Sequence, residues 1–176
     1  MNCTIQTLRE YKELEEKLSR LDAAVLAQEL TKLAVHSQAA ANVAYRLTST
    51  PDENIARFNL RLRNMNSAHY ANSDYMEDLQ ALLSEIQSGA TSPGEEMEGL
   101  LQICQTDDIC FKLGEDECTE LVSFYTEDLA TALENCAQRL IECHQFPAQI
   151  KHLMVNDQYG IRGPVLGKTL IKLVSE

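Results

Sequence analysis

Apolar residues recur at steps of three and four along almost the whole chain, the spacing that lines side chains along one stripe of an α-helix. Leu8, Tyr11, Leu14, Leu18, Leu21 and Val25 form the first stripe and leave Glu10, Lys12, Glu13, Glu16 and Lys17 outside it. The stripe is heptad-like but too short for a coiled coil. Leu26, Leu30 and Leu33 continue it, and Val43, Tyr45 and Leu47 begin another after Ala39-Ala40-Ala41, where small side chains permit close helix approach. Thr50-Pro51-Asp52-Glu53 predicts a helix starting at Pro51, because Thr50 can cap, proline suits the first turn and Glu53 can reach back. Ile55, Phe58 and Leu62 then share a face, with Arg57, Arg61 and Arg63 spread over the others.

Further on, Ser73 precedes a stripe of Leu79, Leu82, Leu83 and Ile86 that Gly89 is placed to end. Ser92-Pro93-Gly94-Glu95 repeats the capping logic and opens a helix through Met97, Leu100, Leu101 and Cys104. Leu121, Phe124, Leu129, Leu133, Cys136, Leu140 and Cys143 predict one long amphipathic helix from Thr119 to Cys143, ended by Phe146-Pro147. Two shorter helices follow, one around Ile150, Leu153 and Met154 and one from about Tyr159 or Gly163 through Val165, Leu170 and Val174. No strand-like alternation appears. The prediction is an all-α fold, an irregular multi-helix bundle or stacked helical hairpins of the HEAT or TPR kind, with short connections. The expected organisation is a single helical domain spanning 1–176, with a sub-boundary considered near 89–93.

Charge changes this picture. The net charge is −12, and it is uneven: Tyr70 to Asn135 holds sixteen acidic residues and Lys112 as its only cation. Such a segment repels phosphates and anionic lipid, so nucleic-acid and membrane binding are not expected. Nor does any apolar run approach the roughly 18 residues that span a bilayer. The acidic third reads either as a solvated, solubilising face or as a patch for a basic protein partner. An interface, if placed, falls on Asp74, Asp78, Glu95 and Glu96, with Arg57, Arg61 and Arg63 as a smaller basic counterpart.

Candidate chemistry is sparse. Gly163-Pro164-Val165-Leu166-Gly167-Lys168-Thr169 resembles a phosphate-binding loop, but it has three residues between its glycines where four are needed, and Pro164 removes a donor. It reads as a helix start. Six cysteines without a Cys-x-x-Cys pair suggest reduced thiols in a cytosol, used as small hydrophobes. The alternative is a metal-dependent enzyme or regulator whose Cys104, Cys110, Cys118 and His144 converge only in the fold. His36 and His69 stand near helix ends and read as caps or solvent-facing groups. No cofactor is expected. The expected role is a cytoplasmic, non-catalytic protein–protein interaction or scaffold domain, working with a basic partner or by self-association; apolar Leu173 and Val174 at the end of the sequence suggest half of a repeat array or a homodimer.

Leu33-Ala34, followed by Tyr45-Arg46-Leu47-Thr48-Ser49-Thr50-Pro51-Asp52-Glu53-Asn54-Ile55-Ala56-Arg57-Phe58, resembles a segment of a bacterial family of uncharacterised, mostly helical proteins, some of which carry a SWIM-type zinc finger. Asp157-Gln158-Tyr159-Gly160-Ile161-Arg162 is similar to an acidic-Tyr-Gly-Val-Arg element that opens a later helix in those proteins. This chain has no Cys-x-Cys, so the finger is missing, and Gly163-Pro164 stands where the family tends to continue with an acidic residue. The resemblance implies a helical fold and a bacterial source, and it carries over no catalytic residue.

Overall fold

The computed structural model describes residues 8–67, 75–113, 118–140 and 145–174, which are almost entirely helical and include no strand. Contacts divide the chain into two compact units, Met1–Thr48 and Ser49–Glu176. The division falls after Thr48 and not near 89–93, because the helices on either side of the latter segment pack together within the second unit.

Unit 1 holds α1 (Leu8–Leu18), α2 (Ala23–His36) and α3 (Gln38–Thr48). The first apolar stripe does not run unbroken to Val25. The Ser19 hydroxyl donates to the Glu16 carbonyl, 2.9 Å, and the Asp22 carboxylate accepts from the Ala24 N–H, 2.7 Å, so the chain turns and restarts as α2. Asp satisfies a helix start better than it propagates a helix interior. α2 and α3 pack on each other. Their half-buried positions are Leu26, Leu30, Ala34, Ala40, Ala41, Asn42, Ala44 and Arg46, so alanines form half of them, in keeping with the small-residue run.

Unit 2 holds α4 (Pro51–Met65), α5 (Tyr75–Gly89), α6 (Pro93–Cys104), α7 (Asp107–Leu113), α8 (Cys118–Ser123), a π-helical segment (Phe124–Leu129), α9 (Ala130–Ala137), α10 (Phe146–Val155) and α11 (Arg162–Val174). α4 starts at Pro51 with the predicted reciprocal cap: Thr50 Oγ1 accepts from the Glu53 N–H, 3.3 Å, and the Glu53 carboxylate from the Thr50 N–H, 2.8 Å. At α6 Ser92 Oγ accepts from the Glu95 N–H, 3.2 Å, but the Glu95 carboxylate reaches one residue further back, to the Thr91 N–H (2.8 Å) and hydroxyl (2.9 Å).

Two predicted boundaries are corrected. The long helix ends at Ala137, short of Cys143, and its middle is π-helical over Phe124–Leu129. A π turn closes i→i+5 hydrogen bonds, and the apolar step from Phe124 to Leu129 is five residues where its neighbours are three or four. Phe146-Pro147 opens α10 and does not terminate the preceding helix, since proline at the first turn lacks only an N–H that has no helical acceptor. The core gathers Leu79, Leu82, Met97, Leu100, Leu121 and Phe124, each at most 1% exposed. α4 contacts α5, α5 contacts α6, α6 contacts α9, and α9 and α10 each contact α11. Two close approaches tighten the first part of this chain of contacts: a Cβ on Gly89 would stand 2.9 Å from the Ile55 backbone nitrogen, and one on Gly99 would collide with the Ile86 side chain.

Candidate functional site

The acidic residues expected to form a partner surface are largely spent inside unit 2. Asp78 and Glu85 of α5 face α4, where Arg61 Nη1 lies 2.5 Å from Asp78 Oδ1 and Arg61 Nη2 lies 3.1 Å from Glu85 Oε1. Arg57 Nε approaches the same Glu85 oxygen at 3.9 Å. Burial lowers the Arg61 pKa, and its hydrogen bonds and charge attraction to Glu85 and Asp78 outweigh that, leaving it raised and the guanidinium charged. Arg57 and Arg61 are thus partners of the acids and not a separate basic patch, because the i and i+4 positions of α4 face the i and i+7 positions of α5. Glu96 is also buried, its carboxylate 2.7 Å from Arg139 Nη2, and Glu95 is half-buried at its cap. Asp74 lies outside the described residues.

The metal alternative meets a similar burial. Cys104 and Cys110 are buried free thiols, and exclusion from water pushes them up to about 12 and about 11, with the Asp107 charge adding to both. That favours the neutral thiol over the thiolate that binds metal. Cys118 begins α8 with its side chain undescribed, and His144 lies outside the described residues. Among the described residues no group of three or more His, Cys, Asp or Glu side chains could hold a metal ion.

Sequence reading missed the most deeply buried charges. Arg162, 3% exposed, donates through Nε to Asp107 Oδ2 at 2.9 Å and through Nη2 to Asp107 Oδ1, while Asp107 itself is 0% exposed. Arg162 Nη2 also pairs with Asp108 Oδ2 at 2.9 Å, and Nη1 donates to the Asn156 carbonyl at 3.1 Å. Burial pushes the Asp107 carboxyl above its ordinary range against the pull of Arg162. The Asp157–Arg162 segment positions this arginine. Gly160 turns with φ 72°, and the Asp157 carboxylate accepts from the Ile161 (3.0 Å) and Gly163 (2.9 Å) N–H groups at the head of α11. The signal in the sequence was the resemblance of Asp157–Arg162 to a helix-opening element; the separation of fifty-five positions from Asp107 to Arg162 hides their pairing.

The feature best suited to recognition lies in unit 1. Among the described residues, nine of the thirteen exposed large hydrophobic side chains belong to it: Leu14, Leu18, Leu21, Val25, Leu33, Val35, Val43, Tyr45 and Leu47. Neither α2 nor α3 has a fully buried residue. An apolar groove of about 330 Å³ lies along Leu14, Leu18 and Leu26, edged by Glu15 and Ser19. Charge around it is balanced: Met1–Thr48 carries six Lys+Arg and six Asp+Glu, so the whole net charge of −12 resides in unit 2. Some of these charges pair along the helices, Arg20 with Glu16 at 3.3 Å and Lys32 with Glu29 at 2.6 Å. Contiguous exposed apolar surface edged by polar groups is a usual physical mark of a protein-binding face, and in unit 1 the groove along Leu14, Leu18 and Leu26 is such a surface. In comparison with protein-family models, curated proteins and solved structures, the chain matches none.

Proposed function

We propose that the chain is a non-catalytic protein–protein interaction domain of a bacterial cytoplasm, and that unit 1 docks through its exposed apolar helix faces onto a second copy of the chain. The nine exposed hydrophobic side chains of unit 1 carry this reading. Burying one such side chain fully is worth about 1.5–3 kcal/mol, a gain that unit 1 leaves unrealised within itself. A second copy is the favoured occupant because a neutral face with interleaved acids and bases meets its own image without repulsion, whereas two faces of unit 2 would oppose strongly negative surfaces. The reduced, buried thiols of Cys104, Cys110 and Cys136 suit a cytoplasm, and the resemblance of the Thr48–Asn54 segment suits a bacterial source.

Sedimentation equilibrium of the full chain tests the reading, beside Val35→Glu/Leu47→Glu, whose side chains are 74% and 68% exposed and whose fold is to be checked by circular dichroism, with an unchanged helical spectrum expected. The expected result is a mass that climbs with concentration from 19.8 kDa toward twice that value, and a variant that stays monomeric. A wild-type monomer at every concentration overturns the second copy. If that monomer captures a foreign protein that the variant does not, the docking face is kept and its occupant is replaced.

A further inference from the structure

Unit 2 contains a second feature with binding chemistry, separate from the docking face. A cleft of about 400 Å³ lies among α4, α6, α7 and α11, lined by Leu62, Asn66, Gln102, Gln105, Asp108 and Arg162. That volume falls within the roughly 300–1,000 Å³ of small-molecule sites. Its polar groups are not symmetric between donors and acceptors. The Arg162 guanidinium is already held by Asp107, Asp108 and the Asn156 carbonyl, so it does not present an open fork to an anion. Asp108 Oδ1 is enclosed and has no donor, so the oxygen this carboxylate offers to the cleft is Oδ2, whose one donor is Arg162 Nη2; the side chain as a whole remains 48% exposed. Two carboxylates against one guanidinium leave a net negative charge at the cleft, and that charge is under-compensated at Asp108.

The amides reinforce this sign. Gln105 Nε2 donates to the Leu101 carbonyl at 3.2 Å, which fixes the amide orientation and leaves Oε1 as its acceptor. Gln102 is exposed in the last turn of α6, and Asn66 is exposed at the C-cap of α4, where helix carbonyls gather partial negative charge. Leu62 is the apolar member, suited to a short alkyl stem. Unit 2 also carries the entire net charge of −12, so its long-range field concentrates cations. We infer that this cleft binds a small organic cation, a primary ammonium or guanidinium group on a short alkyl stem, with Asp108 and the Gln105 carbonyl oxygen as its acceptors.

Amide-resolved NMR titration of the full chain with butylguanidinium and butylammonium tests the inference, with butyrate and butanol as controls. Saturable shifts confined to the ends of α4 and α6 and the start of α7 are expected for the two cations, with dissociation constants in the millimolar range typical of a few contacts, about 1–10 mM. Neither control should produce them. Asp108→Asn should weaken cation binding about tenfold, because a charge-assisted hydrogen bond becomes a neutral one. Since Asp108 also meets Arg162, Gln105→Met serves as the independent variant; it removes one acceptor at an exposed position and should weaken binding several-fold with an unchanged spectrum elsewhere. Absence of saturable shifts below about 10 mM, equal shifts with butyrate, or binding unaltered in both variants would overturn the inference.

Discussion

Unit 1 and unit 2 are built from helices of similar length, yet α2 and α3 bury no residue fully while α5 buries eight of its fifteen and α6 seven of its twelve. The difference does not come from hydrophobic content alone, since the mean hydrophobic character of α2 exceeds that of α5. It comes from how many neighbours each helix has. A pair of helices encloses one seam, and in α2 and α3 half of its half-buried positions are alanine, while Leu33, Val35, Val43, Tyr45 and Leu47 remain outside. In unit 2 each of α5, α6, α9 and α11 touches at least two other elements, and opposite sides of one helix can both leave water. Amphipathic stripes make a core only where enough of them converge.

Charge divides the same way. In unit 1 the ion pairs described here are exposed and within single helices, worth a few tenths of a kcal/mol each. In unit 2 they join α4 to α5, α6 to the turn after α9, α7 to α11 and α9 to α11. Such pairs make poor net stabilisers against apolar replacements, but removing one member strands the other in a dry interior.

That contrast sets the first and largest expectation. Arg162→Leu, which leaves Asp107 buried and unpaired, should lower the unfolding free energy of unit 2 by about 3–5 kcal/mol in urea titration, and adding Asp107→Leu should recover much of the loss. A small effect of the single variant would mean that water reaches Asp107. Next in size, Leu82→Ala in the core should cost about 2–5 kcal/mol, whereas Leu33→Ala in unit 1 should stay within about 0.5 kcal/mol. Equal costs measured under dilute conditions would erase the distinction between the units; a Leu33→Ala cost that appears only at high concentration would sharpen it, by placing that side chain in an interface.

The smallest effect is an acid one. The Thr50 N–H and hydroxyl hold Glu53 below its ordinary 4.5, Thr91 does the same for Glu95, and Lys172 does so for Glu134. Burial would raise Asp157, but the N–H groups of Gly163, Arg162, Ile161 and Gly160 outweigh it and hold that carboxyl below 3.8. Folded values below unfolded ones stabilise the fold fully above the ordinary carboxylate range, and the contribution is lost as pH falls through the folded values. All four groups belong to unit 2. Amide hydrogen exchange should therefore show unit 2 protection falling below about pH 4.5 with unit 1 little changed; an acid-induced loss confined to unit 1 would contradict the assignment of these caps.

Much of the helix pattern was legible because its causes are local. Thr50 and Glu53 cap each other across three residues and Ser92 with Pro93 opens α6, each by short-range hydrogen bonding or backbone preference, whereas α5 does end at Gly89 but the glycine there serves the close approach of α4. The stripe through Leu79, Leu82 and Ile86 named core positions correctly. The expected site was not legible in the same way. Asp78 and Glu96 read as a solvated acidic face because a one-dimensional charge count does not show that Arg61 and Arg139 stand 2.5 and 2.7 Å from them across helix contacts. The Asp107–Arg162 pair was invisible for the same reason, and the π-helical step from Phe124 to Leu129 was visible in the spacing but absorbed into a regular period.

By itself the sequence determined that this chain is helical, where several of its helices begin, and that its negative charge is concentrated away from residues 1–48. Propensity, capping and periodicity act within a turn or two, so their consequences can be read along the chain. Only the tertiary structure decided which acids face water, which thiols lie shielded from it, and which apolar stripes of unit 1 remain exposed. Those outcomes depend on which distant helices meet, and burial, unlike helix formation, is a property of the neighbours a side chain acquires and not of the side chain itself.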